Sequence, residues 1–168
     1  MMSRPFSEAQ TNIFFVRGDA TAVSGRRAPK VIAHCCNDAG RWGKGFVLAI
    51  SRRWPHVARE YFEWHRDRAK NDFELGACQF VEAEPGIVVA NMIGQNGVKT
   101  GPKGVPIRYS ALARALDSAM QHAAEKGASV HMPRVGCGLA GGVWSTVEPI
   151  VVDCAEKHGV VVFVYDLA

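Results

Sequence analysis

A strand, a glycine-rich loop and a helix follow one another twice in this chain, and that unit leaves few folds open. The first copy runs from the apolar Val31–Ala33 through His34-Cys35-Cys36-Asn37-Asp38-Ala39-Gly40-Arg41-Trp42-Gly43-Lys44-Gly45-Phe46 into a helical pattern. The second runs from Ala128–Met132 through Pro133-Arg134-Val135-Gly136-Cys137-Gly138-Leu139-Ala140-Gly141-Gly142-Val143-Trp144. Four glycines stand within the seven residues from Gly136 to Gly142. Glycine at that density lets the backbone turn tightly and approach a ligand with no Cβ in the way. At a helix N-terminus such a loop gathers free N–H groups and the positive end of the helix dipole, which suits phosphate. The alternative is a tight turn that holds nothing. Two such loops together suggest a ligand with two phosphates, or a phosphate and a sugar. Neither loop has the spacing of a Walker A motif or of the dinucleotide fingerprint G-x-G-x-x-G.

The bulk properties narrow the setting. A length of 168 residues suits one domain, 1–168, by the usual ~100–200 residues per domain. The formal charge of +4 favours an anionic ligand and is too small to argue for nucleic acid. The polar N-terminus lacks the apolar core of a signal peptide, and no segment reaches the ~18–20 apolar residues of a membrane span. Five cysteines, an odd number with no C-x-x-C, fit a reduced cytoplasmic protein. The six histidines and five cysteines show no metal-ligand spacing, so no metal and no cofactor are expected. Cys137 is either a nucleophile or a small residue chosen for tight packing; no neighbouring base stands in the sequence.

The remaining pattern alternates. Strands are predicted at Asn12–Arg17, Lys30–His34, Gly76–Ala83, Gly86–Ile93, Val130–Pro133 and Val160–Tyr165. Helices are predicted at Gly45–Arg53, Val57–Lys70, Arg108–Lys126 and Thr146–His158. In the second helix Val57, Ala58, Tyr61, Phe62 and His65 form the apolar face. Pro149 is expected in the first turn of the last helix, where its missing N–H has no partner. The loop from Gly94 to Pro106 is long enough to be functional or mobile. The implied fold is α/β, a three-layer α/β/α sandwich around a mixed sheet. The turn at Pro85-Gly86 is too short for a parallel crossover. Both glycine loops then fall at the carboxyl ends of strands, where ligands bind in such sheets.

The order of Val16-Arg17-Gly18-Asp19, His34-Cys35-Cys36-Asn37, Gly43-Lys44-Gly45-Phe46 and Pro133-Arg134-Val135-Gly136-Cys137-Gly138-Leu139 with Trp144 resembles that of macrodomains, which are ADP-ribose-binding modules. The resemblance extends from about Asn12 to Leu167. It points to the branch with the terminal ADP-ribose protein glycohydrolase and the yeast ADP-ribose 1''-phosphate phosphatase. It implies that Asp19 accepts hydrogen bonds from the adenine amino group, where the plain alternative is an acid capping a turn. Asn37 would lie near the distal ribose. Gly43, Lys44 and Gly45 would form the first phosphate and ribose loop. Gly136, Cys137, Gly138, Leu139, Ala140, Gly141 and Gly142 would wrap the diphosphate with backbone N–H groups. Tyr165 or Asp166 would border the adenine.

His34 matches a histidine implicated in the phosphatase. It either moves a proton near neutral pH or is a satisfied histidine at a strand end. Two positions depart from the glycohydrolase: its lysine is replaced by Gln95 and its aspartate by Ala140. Asp38, beside Asn37, is either a substitute carboxylate or an ordinary loop residue. The expected function is binding of ADP-ribose with hydrolysis of an ADP-ribose derivative, catalysed by His34, Asp38 and Asn37. The alternative is a reader without turnover. The expected partner is ADP-ribose or an ADP-ribosylated macromolecule. Nucleic acid enters only as such a substrate, no membrane is involved, and a monomer is expected.

Overall fold

Strand β2 (Lys30–Asn37) sends Val31 and Ala33 to one side and Ile32 and Cys36 to the other, and both sides are buried. A strand apolar on both faces belongs in the middle of a covered sheet. The computed structural model describes residues 12–23 and 27–167 and has this arrangement. The other elements are β1 (Ile13–Arg17), α1 (Val47–Arg53), α2 (Pro55–Arg66), β3 (Cys78–Glu84), β4 (Ile87–Gln95), α3 (Tyr109–Lys126), β5 (Ser129–Pro133), α4 (Trp144–His158) and β6 (Val162–Asp166). The sheet order is β1-β6-β5-β2-β4-β3, parallel except for the antiparallel β3–β4 pair. Helices α3 and α4 pack on one face with Leu112, Leu116, Met120, Val147 and Val151. Helices α1 and α2 cover the β2, β4 and β3 side of the other face with Ile50, Val57 and Tyr61.

Several boundaries move for identifiable reasons. Strand β2 runs on to Asn37, so His34 sits inside the strand rather than at its end. Pro55 both follows the end of α1 and opens α2, where proline fits the first helical position. Val57, Ala58 and Tyr61 are buried as the pattern predicts, but Trp64 is buried with them and Phe62 is 44% exposed, so Trp64 takes the place of Phe62 on the apolar face. Helix α4 opens at Trp144, and Pro149 therefore lies within the helix instead of its first turn. The Gly94–Pro106 segment folds back on itself through bridges between Gln95 and Ile107 and between Gly101 and Gly104.

The connections position the functional edge. β2 leads into α1 on one face, whereas β5 leads into α4 on the other. Such a reversal is a topological switch point, and a crevice forms outside the strand ends there. Here the two strands also separate. β2 pairs with β4 along its length, but with β5 only from Lys30 to Ile32.

Candidate functional site

The two glycine loops flank the crevice between β2 and β5. In the loop after β5, Gly136 has φ +73° and Gly141 has φ +77°, conformations that glycine adopts without strain. A methyl group on Gly136 would lie 2.6 Å from Ile107, and one on Gly141 2.7 Å from Val105. The folded-back segment before α3 thus packs directly beneath this loop. The amides of Gly138, Leu139 and Ala140 donate to no acceptor among the described residues. Successive free N–H groups in a turn form an anion-binding concavity. Helix α4 follows with no side-chain cap and no acidic residue in its first turn; the Thr146 amide donates to the Val143 carbonyl, and those of Trp144 and Ser145 donate to no acceptor among the described residues.

The loop after β2 has the same character. Gly43, Lys44 and Gly45 are exposed, and α1 begins with no side-chain cap and no acid in its first turn. A methyl group on Gly45 would stand 3.6 Å from Leu139, so the two loops face each other closely. Leu139 is 65% exposed and Ala140 is buried, with its carbonyl accepting from the Ile107 amide.

Asp19 follows β1 at the same edge. Its Oδ1 accepts from the amide and the hydroxyl of Thr21, at 2.8 and 2.7 Å. Arg53 at the end of α1 donates in turn to the Thr21 hydroxyl. Thr21 and Arg53 orient the carboxylate, and no motif in the sequence marks them. Tyr165 lies beside Gly18, and its hydroxyl is hydrogen-bonded with His131 Nδ1 at 2.8 Å. Asp166 forms a two-pronged ion pair with Arg134, whose guanidinium also lies over Phe15 and Trp144.

The three residues expected to carry chemistry stand differently. His34 is 1% exposed, in the core between the sheet and α1–α2, edge-on to Trp42. Its Nε2 bonds to Asn91 Oδ1, and Asn91 Nδ2 donates to Gln79. Burial lowers its pKa to about 4 against the opposing effect of the Asn91 bond, so the ring is neutral at pH 7. His34 is thus buried and hydrogen-bonded, and its partner is a side chain rather than backbone. Asn37 knits the first loop together: its Oδ1 accepts from Ala39 N, Arg41 N and the Tyr61 hydroxyl, and its Nδ2 donates to Arg41 O. Asp38 accepts from the Gly97 amide at 2.7 Å and from Asn96 Nδ2 at 2.8 Å, so each oxygen has a partner. Gln95 Nε2 donates to Gly97 O. Cys137 is partly buried, its thiol pushed up by burial, and it donates to Val135 O.

A family model described as the Macro domain matches residues 33–151. A solved macrodomain protein from Streptomyces coelicolor is 57% identical with a TM-score of 0.81, over 92% of this chain and 98% of that one. The ADP-ribose 1''-phosphate phosphatase of Lodderomyces elongisporus is 25% identical over 82% of this chain and 89% of its own length. The chromodomain-helicase-DNA-binding protein 1-like of Mus musculus is 28% identical over 92% of this chain. The chain spans 18% of the length of that mouse protein. With the mixed sheet, the switch-point crevice and the paired glycine loops, these matches have one reading: the chain belongs to the Macro domain family.

Proposed function

We propose that this chain binds ADP-ribose along the carboxyl edge of its sheet. The observation that carries the reading is the pair of facing glycine loops at the β2–β5 crevice, each running into an uncapped helix N-terminus. Asp19, oriented by Thr21, receives the adenine amino group. The amides of Gly138, Leu139 and Ala140 hold the diphosphate, and Gly43–Gly45 close over the distal ribose. Calorimetry with ADP-ribose tests this. The expected result is binding in the micromolar range, about 8 kcal/mol at 1 μM. No heat with ADP-ribose beside clear binding of unrelated nucleotides overturns it.

A second reading, hydrolysis of an ADP-ribose derivative, is supported by the name of the Lodderomyces relative and its near full-length match. In it, water adds at C1'' of the distal ribose as the bond to the attached group breaks and that group leaves with a proton, or at the phosphorus of a 1''-phosphate as the ribose oxygen leaves; the loop amides hold the diphosphate in place for either. His34 is buried and supports the loop from below through Trp42. Asp38 holds the loop to Gly97 and Asn96. The reading is tested with ADP-ribosylated Glu/Asp, Arg and Ser peptides, ADP-ribosylated DNA, acetyl-ADP-ribose and ADP-ribose 1''-phosphate. Release of ADP-ribose or phosphate from one of them establishes an enzyme. Tight binding with no release from any establishes a reader.

A further inference from the structure

Beyond the glycine loops, the sheet edge continues into an open groove of about 500 Å³ lined by Asp38, Arg68, Phe73, Glu74, Leu75 and Arg114. It lies over the ends of β4 and β3, and Asp38 belongs both to it and to the loop after β2. The two arginines are held in place. Arg114 donates to Leu75 O at 3.1 Å and lies flat against Gly76, where a methyl group would come 2.6 Å from its guanidinium. Gly76 has φ +92°, so this close approach is built into the backbone. Arg68 donates to His65 O at 2.9 Å. Among the described residues neither guanidinium has a carboxylate partner, so each keeps donors facing the groove.

The groove is also tied to the cleft. The His65 ring packs edge-on against Phe73, and a methyl group on Gly40 would come within 2.5 Å of that ring. The wall of the groove therefore supports the loop that would close over the distal ribose. Two strand spacings separate the groove from the β2–β5 crevice, on the order of 10 Å. About three extended residues span that distance.

Its chemistry is mixed. Arg68 and Arg114 offer planar donors that fit a carboxylate, and Glu74 offers an acceptor for a backbone N–H. Phe73 is 8% exposed, so the groove has no aromatic platform for a base. Both Asp38 oxygens already accept hydrogen bonds, and the two guanidiniums offset Asp38 and Glu74 without an excess of positive charge, which leaves room for one further carboxylate on the arginine donors rather than for a run of phosphates. We propose that this groove receives an acidic side chain of the polypeptide to which ADP-ribose is attached, about three residues from the attachment point. The proposal rests on the ADP-ribose reading of the cleft.

The test uses hydrolysis-resistant ADP-ribosylated peptides carrying Glu or Gln three residues to either side of the attachment, with free ADP-ribose as the control. The wild-type chain is expected to bind the Glu peptides about tenfold more tightly, the size of one charge-assisted hydrogen bond at a partly exposed site. The R68Q/R114Q double variant is expected to bind both peptides equally, with unchanged affinity for free ADP-ribose. That unchanged affinity also shows the variant folded. Equal binding of both peptides by the wild type overturns the proposal, as does a preference that survives in the double variant. An ADP-ribosylated oligonucleotide that alone loses affinity in the variant overturns it in favour of nucleic acid. Failure of the wild type to bind free ADP-ribose overturns the reading of the cleft instead.

Discussion

The amide of Gly142 donates to the carbonyl of Gly136 at 2.7 Å and closes the second glycine loop on itself. A methyl group on Gly142 would overlap that same carbonyl oxygen. Backbone cannot give way as a flexible side chain can, so Gly142→Ala must open the loop. The expected loss is about tenfold or more in ADP-ribose affinity, since each misplaced amide forfeits a hydrogen bond to a charged group. Gly138→Ala is the control. Its added methyl meets nothing within 4 Å, so the melting temperature should match the wild type. Calorimetry beside thermal unfolding separates the two effects. Wild-type affinity in Gly142→Ala would remove the loop from the site.

Thr21 governs how Asp19 presents its carboxylate. Thr21→Val removes the hydroxyl bond and leaves the amide bond, and Asp19→Ala removes the acceptor altogether. Both variants should weaken AMP binding, Asp19→Ala by about tenfold or more and Thr21→Val by less. Ribose 5-phosphate binding should change little. Equal losses for both ligands would contradict an adenine-reading role.

Cys137 stands inside the second glycine loop with its thiol pKa pushed up by burial, a shift that Arg134 only partly offsets. A thiol in that state is a poor nucleophile at neutral pH. Alkylation at pH 7 should be slower than for a free cysteine, and Cys137→Ser should keep ADP-ribose binding and any turnover. Loss of turnover with binding intact would restore the nucleophile reading.

His34 and His131 both have pKa values lowered from 6.5 to about 4, by burial in each case and by Lys30 beside His131. In the unfolded chain these rings protonate as pH falls through 6.5, while the folded protein resists until about 4. The unfolded state therefore binds more protons in that window. Stability is fully present above pH 6.5 and is lost as pH falls towards 4. Each histidine contributes up to about 2 kcal/mol of that loss between pH 6.5 and 5. Urea unfolding at pH 7, 6 and 5 measures it. His34→Gln keeps a donor for Asn91 and should flatten the slope; an unchanged slope would show that His34 is solvated.

The layer order and the two glycine loops at the strand ends were legible because they rest on local signals: apolar runs, glycine clusters and the segment Pro133-Arg134-Val135-Gly136-Cys137-Gly138-Leu139. The depth of His34 was not. His34-Cys35-Cys36-Asn37 is polar enough to read as loop, yet β4 pairs with it and supplies Asn91 to satisfy the imidazole. Trp64 lies about one turn on from Tyr61, whereas Phe62 is turned about 100° from Tyr61, so the buried face takes the tryptophan and leaves the phenylalanine exposed. The Arg53–Thr21–Asp19 chain joins residues from two elements, so no spacing within either one announces it.

Val105 and Ile107 press against Gly141 and Gly136, whereas the Gly101–Gly104 turn beyond them projects into solvent. The excursion between β4 and α3 therefore has a fixed stem and a free tip. Sequence at the tip can be lengthened, exchanged or charged without moving the cradle, provided the stem keeps its two apolar contacts. New preferences for the macromolecule around the ligand can be grafted there independently of ligand affinity itself.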